Sequence, residues 1–156
     1  ISDDWGGQNS LLFSPELWQR LIYPNLKKVV EGVKSRGGFV SLHSDGNINP
    51  VRNHLVELEF DMVHPWQESA SMSLDDFDQN YRQHFTVMGG LDIQTTLGFG
   101  SLDLVRQTLE RLIPQFREGG LILCTTHFVQ DHCTIEELVQ TYDWIGEMNQ
   151  SREDGA

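Results

Sequence analysis

Phe39-Val40-Ser41-Leu42-His43-Ser44-Asp45-Gly46-Asn47 follows directly on Gly37-Gly38. It opens as a short apolar run and ends in two ligand-type side chains and a turn. In a strand, alternate residues point to one face, so His43 and Asp45 should look the same way at the strand's C-terminal end. Gly46 and Asn47 then end the strand as turn residues. In parallel α/β architectures that edge is where binding and chemistry collect. A plainer reading is a hydrogen-bonded strand-end histidine and an aspartate that caps the next helix.

Outward from this stretch the same unit recurs. Ser14-Pro15-Glu16 predicts a helix start, with a cap, a first-turn proline and an acid at the positive end of the dipole. Apolar residues at helical spacing follow, from Leu17 and Trp18 to Val33, with Pro24 placed to kink or split the helix. Pro50 opens a shorter helix carrying Val51, Leu55 and Leu58, and Phe60–His64 reads as the next strand. Ser73 caps a helix expected to reach about His84, and Phe85–Met88 is a third strand closed by Gly89-Gly90. Ser101 starts a helix ended by Gly119-Gly120, and Leu121–Thr125 is the fourth strand. Thr134-Ile135-Glu136-Glu137 has the pattern of a capping box before the last helix. Residues 1–9 read as the end of a strand running into a loop. Helix and strand thus alternate four times, which predicts parallel (β/α) units with right-handed crossovers. The expected division is one α/β domain over residues 1–150 and a frayed polar tail over 151–156.

The 156 residues include 23 acidic and 11 basic side chains, a net charge of −12. A basic footprint for nucleic acid is missing, so no nucleic-acid partner is expected. No apolar run approaches the roughly 18 residues a membrane helix needs, so no membrane partner is expected either. Cys124 and Cys133 form no CxxC pair, and a reducing cytoplasmic setting is the default.

Polar clusters fall just after each strand. Asp4 and Gln8 come first, then His43 and Asp45, then His64 and Gln67, then Asp92 and Gln94, then His127. Such a run of carboxylates, imidazoles and amides at successive strand ends points to a site for a small-molecule substrate. His43, Asp45 and His127 suit a three-ligand site for zinc or another divalent metal, with a position left open. Alternatively, His127 binds a substrate carboxylate and no metal is used. His132-Cys133 sits in a loop and reads as an ordinary histidine and free thiol, and His54 and His84 read as surface residues on helices. There is no phosphate loop, nucleophile elbow or Ser-His-Asp order.

Several segments, in the same order, resemble the uroporphyrinogen decarboxylase superfamily, which also contains corrinoid-dependent methyltransferases. Asp3-Asp4-Trp5-Gly6-Gly7-Gln8 with Ser14-Pro15-Glu16 is similar to its DDxGxQ…SPE segment. Leu42-His43-Ser44-Asp45-Gly46-Asn47 is similar to LHSCGN, and Phe60–Pro65 to GVDVLHP. Met88–Leu97 resembles WGGIDVQHTL, and Gly119–Leu123 with Thr126-His127 and Glu136-Glu137 resembles the GGYIL…SHN…EN ending. The resemblance implies a TIM (β/α)8 barrel with its site at the C-terminal strand ends, of which this chain is the C-terminal half. It places roughly three further strands, and most of a fourth, ahead of Asp3. The decarboxylase's catalytic aspartate and its arginines would lie there.

Asp45 stands where the methyltransferase branch has the cysteine of a His-x-Cys zinc pair, and that branch's later cysteine falls at or near His127. The resemblance therefore implies a methyltransferase-like enzyme with a harder metal site at His43, Asp45 and His127. Asp4 and Gln8 would orient the substrate, His64, Gln67, Asp92 and Gln94 would line its site, and a corrinoid, carried by a partner protein, would give or take the methyl group. The alternatives are a metal-free decarboxylase of uroporphyrinogen or a smaller acid, with His127 and Asp4 in catalytic roles and no cofactor, and a catalytically silent binding or assembly domain. The chain by itself is expected to be inactive. It is also expected to pair as a homodimer, because a half-barrel would expose an inner face expected around Val40, Leu42, Val63, Val87 and Leu123.

Overall fold

The structure, a computed structural model, describes residues 1–153, with side chains described for 1–150. Four parallel strands lie in the order β1-β2-β3-β4: Ser41–His43, Met62–His64, Thr86–Leu91 and Leu121–Thr125. Strand order equal to chain order, with a helix in each crossover, is the pattern of a parallel barrel wall. Residues 1–3 occupy the next position on the far side of β1. Ser2 bridges His43 in parallel, the His43 N–H donates to the Ile1 carbonyl at 2.8 Å, and the Asp3 N–H donates to the His43 carbonyl at 3.0 Å.

The helices start where the capping residues stand. Ser14 Oγ accepts the Leu17 N–H at the head of α1 (Pro15–Leu21), and Ser73 Oγ accepts the Asp76 N–H at the head of α4 (Leu74–Asn80). Pro24 splits the first helical stretch: α1 ends at Leu21, and α2 (Tyr23–Lys34) restarts with the proline in its first turn, where a missing N–H costs nothing. α3 (Asn53–Glu57) follows a 3₁₀ turn at Asn49–Val51. α5 (Leu102–Gln115) is capped by Ser101. α6 runs from Ile135 to Glu153. Of the expected frayed tail, 151–153 continue this helix and 154–156 lie outside the described residues.

Strand alternation sorts the side chains, and it corrects one expectation. Val40, Leu42, Val63 and Val87 do not form an inner face in need of cover. They are at most 4% exposed and belong to the core beneath the helices, with Leu55, Phe60, Trp66, Phe77 and Leu112. Leu123 also packs against this helix-covered side. The residues of opposite parity, Ser41, His43, Met62, His64, Thr86 and Met88, are only partly buried and make up the other face. At the N-terminal end of that face Phe39 (85% exposed) and Ile122 (49% exposed) stand with Met62 and Thr86, beside Arg82 and His84. The polar strand-end residues gather at its opposite end.

Two further expectations change. His54 is not a plain surface residue, because its ring stacks on Trp18 with centroids 5.3 Å apart and its Nδ1 meets Glu57 at 2.7 Å. His84 is exposed, but in the turn after α4 rather than on the helix. Asp61 latches α2 to the sheet, since Lys34 Nζ lies 2.6 Å from Oδ1 and the Val40 N–H donates to Oδ2 at 2.6 Å. Burial alone would raise the Asp61 carboxyl, but the bonds from Lys34 and Val40 and the lysine charge override it and hold the group below its ordinary value. Among the described residues, no helix is long and apolar enough to cross a membrane.

The face assignment has a direct energetic consequence. Leu42→Ala should cost about 2–5 kcal/mol in denaturant unfolding, as a buried leucine truncation does. Val29→Ala, at a residue 52% exposed on α2, should cost within about 0.5 kcal/mol. Equal effects would place Leu42 on the open face after all.

Candidate active site

The site begins with the parallel register that pairs His43 of β1 directly with His64 of β2. Both side chains leave the sheet on the same face. The rings stack with centroids 5.0 Å apart, and the two Nδ1 atoms lie 2.7 Å from each other. On the other side of His64, Nε2 lies 3.4 Å from the Thr125 carbonyl at the end of β4. Burial is the main cause that pushes the His64 imidazole below its ordinary pKa. The Thr125 carbonyl and Asp45 act in the opposite sense, while His43 and His127 add to the fall.

Two glycines bring the carboxylates to this pair. A Cβ on Gly46 would fall 2.5 Å from the Gly6 carbonyl oxygen, and one on Gly6 would fall 2.6 Å from the Asn47 nitrogen. Gly46 also has φ +78°, which other residues adopt only with strain. The loop after residues 1–3 and the loop after β1 therefore touch backbone to backbone. The contact is pinned by the Asn47 N–H donating to the Gly7 carbonyl at 2.8 Å and the Asp45 N–H donating to Asp4 Oδ1 at 3.0 Å. As a result, Asp4 Oδ1 lies 3.9 Å from His43 Nε2, and the ligand atoms of Asp4, His43 and Asp45 all lie within 4.8 Å of one another.

His127 lies on the far side of Asp45, with Nε2 3.6 Å from Oδ2. Its Nδ1 is buried without a hydrogen-bond partner, and its ring leans on Phe128 at 4.1 Å. The set expected for a metal was His43, Asp45 and His127. The structure brings Asp45 into reach of both histidines, but the compact cluster among the described residues takes Asp4 as its third member instead of His127. An imidazole nitrogen and two carboxylates fit a divalent cation that accepts oxygen and nitrogen donors, such as zinc or manganese. This set is harder than a thiolate one.

A cavity of about 540 Å³ opens beside the cluster, lined by Asp45, Gln67, Gln94, His127, Gln130 and His132 among others. Gln67 is 4% exposed, and its Oε1 accepts the Gly46 N–H at 3.1 Å, so it supports the turn as well as the cavity wall. Asp92 stands apart from the lining. Its Oδ1 accepts the Gln94 N–H at 2.8 Å and its Oδ2 the Ser69 N–H at 3.2 Å, which ties two strand-end loops together. Gln8 is exposed on its loop and outside the lining.

Residue-by-residue reading overlooked the outer wall, where Ile93, Gly98, Phe99, Gln130 and His132 meet. The capping-box pattern pointed elsewhere. Thr134 Oγ1 does accept the Glu137 N–H at 3.1 Å, but the Glu137 carboxylate turns away and accepts the Gly98 N–H at 2.9 Å. Glu137 thereby holds the glycine loop of this wall, and His132 Nε2 meets the Ile93 carbonyl at 2.9 Å.

The family model described as uroporphyrinogen decarboxylase (URO-D) matches residues 1–147, nearly the whole chain. No curated protein matches it.

Two outcomes follow from the geometry. Gly46→Ala should destabilise the fold by about 1–3 kcal/mol through the left-handed backbone alone. Gly32→Ala, in the interior of α2 with nothing near its Cβ position, should instead stabilise by about 0.5–1 kcal/mol. Opposite signs in urea titrations are the check, and a neutral Gly46→Ala would contradict the loop contact. The second concerns pH. The native His64 pKa is depressed, so below about 6.5 the unfolded chain binds a proton that the native state refuses. Wild-type stability should fall relative to His64→Asn between pH 8 and pH 5.5, and a constant gap would remove His64 as a buried neutral group.

Proposed function

The chain belongs to the uroporphyrinogen decarboxylase (URO-D) family, and on that premise we propose that it forms part of a methyltransferase-like barrel enzyme assisted by a divalent metal. The observation that supports this reading is the convergence of Asp4, His43 and Asp45, with ligand atoms within 4.8 Å of one another, at the C-terminal strand ends. Three electron-pair donors with no cationic side chain among them make a site that a cation stabilises. A bound divalent cation would supply Lewis acidity there, lowering the pKa of a substrate thiol and so preparing it to accept a methyl group. His43 and the two aspartates would hold the cation. Gln67 and Gln94 border the cavity in which the substrate would be oriented, and His127, whose Nε2 lies 3.6 Å from Asp45 Oδ2, would move a proton there. The methyl group would come from, or go to, a corrinoid carried by a partner protein. The free thiols of Cys124 and Cys133 accord with a cytoplasmic setting.

The second reading, a metal-free decarboxylase, draws on His127. Its Nε2 lies 3.6 Å from Asp45 Oδ2 at the cavity edge, from where it would deliver the proton that replaces a departing carboxylate. No arginine or lysine lines the cavity among the described residues, so in this part of the barrel nothing there favours a polycarboxylate substrate.

The test is metal binding by the full-length protein, purified without chelator and then titrated with Zn²⁺ and Mn²⁺ against a competing indicator. His43→Ala, Asp4→Asn and Asp45→Asn should each weaken binding about 10-fold or more, whereas Asp103→Asn on α5 should not. Absence of metal binding in the wild type, or an unchanged affinity in His43→Ala, would turn the assignment to the metal-free decarboxylase. That reading in turn requires loss of carbon dioxide from an acid substrate without added metal or corrinoid.

A further inference from the structure

Resting on the metal-site reading above, we propose that His64 is a positioning residue that sets the tautomer of His43, so that the His43 Nε2 lone pair faces Asp4 and Asp45.

A neutral imidazole carries one N–H and one lone pair, so two nitrogens in contact form a hydrogen bond only if one of them is protonated. The His43 and His64 Nδ1 atoms are 2.7 Å apart, which requires one N–H and one lone pair between them. The choice is made at the other end of His64, where Nε2 lies 3.4 Å from the Thr125 carbonyl. A carbonyl only accepts, so His64 carries its proton on Nε2 and offers a lone pair at Nδ1. His43 must then donate from Nδ1, and its Nε2 is left unprotonated. That atom lies 3.9 Å from Asp4 Oδ1, beyond direct hydrogen bonding, and His43 itself belongs to the three-donor cluster with Asp4 and Asp45. The chain Thr125–His64–His43 therefore ends in a lone pair on the nitrogen that lies nearest Asp4.

Such a relay also explains the choice of a histidine at the end of β2. An apolar residue there would fill the same half-buried space but leave the His43 Nδ1–H without an acceptor. Free imidazole side chains favour the Nε2–H tautomer, so loss of the acceptor would return a proton to the atom that should bind the cation. A partner that fixes ring orientation and tautomer commonly changes metal affinity by about 10–100-fold.

The first test needs no metal. In the full-length, metal-free protein at pH 8, ¹⁵N-labelled histidine spectra should show His43 with a protonated Nδ1 and an unprotonated Nε2, and His64 with the reverse. In His64→Leu the His43 pattern should shift toward the Nε2–H form. In His64→Asn the amide oxygen can take the place of the Nδ1 acceptor and should restore the wild-type pattern. Zn²⁺ affinity should follow the same order, falling about 10-fold or more in His64→Leu and returning to within a few-fold of wild type in His64→Asn. A His43 that carries its proton on Nε2 in the wild type would overturn the proposal even if metal binds. The expected tautomer in a protein that binds no metal would uphold the relay and remove only the metal-site reading. If His64→Leu does not fold, the wild-type spectrum and His64→Asn still decide.

Discussion

The in-register parallel pairing of β1 with β2 is the constraint on which the site depends. It sets His43 beside His64, and the alternation of the strands sends both toward the face that the helices do not cover. A slip of β1 by one residue against β2 would turn His43 toward the apolar core and Leu42 outward, while His64 and Val63 kept their faces. The apolar core thus does more than stabilise the sheet. With Leu42 and Val63 both fully buried, it locks the register, and the register places the chemistry. The strands themselves are short: β1 and β2 have three residues each. Their covered face packs into the core that Trp18, Val30, Leu55 and Phe77 of α1 to α4 help to build.

The second requirement is close approach of loops, and here backbone matters more than side chains. Gly6 and Gly46 let two loops meet without any intervening Cβ, which carries Asp4 to Asp45 and His43. Gln67 and Asp92 fasten the neighbouring loops through backbone N–H groups. Glu137 does the same for Gly98 from the start of α6. These three residues look functional in a sequence because they are polar and lie near strand ends or helix starts. In the structure much of their hydrogen bonding serves to hold loops at fixed spacing, which is how a mobile class of segment comes to present a defined cavity.

The order of elements was legible because each signal was local: capping serines at 14, 73 and 101, a proline that splits a helix, and glycine pairs before two strands. Strand period pointed His43 and Asp45 the same way; β1 ends at His43, and Asp45 comes close to it from the loop that follows. Which face the apolar residues take was misread, because Val40, Leu42, Val63 and Val87 suit an inner barrel layer as well as a helix-covered one. Only packing decides between them. The His43–His64 contact was out of reach for a related reason. Two strands that each end in histidine announce it only once they are paired in register. Residue type points to His127 as a third ligand, whereas the compact cluster holds Asp4, which a glycine contact brings close. The Glu137 carboxylate was misassigned to a local cap because a capping box and a long-range loop anchor share the same four-residue pattern.

Taken together, a helix-packed sheet fixes two imidazoles, paired glycines deliver two carboxylates, and the resulting donors converge beside a cavity edged by His127. The proposed cation site joins these donors at Asp4, His43 and Asp45. Anomalous diffraction from crystals of the full-length protein grown with Mn²⁺ or Zn²⁺, recorded on both sides of the metal's absorption edge, tests it most directly. A single anomalous peak within bonding distance of Asp4, His43 Nε2 and Asp45 is expected. A peak held by His127 without Asp4, or no peak at the strand ends in crystals soaked with saturating metal, would contradict it.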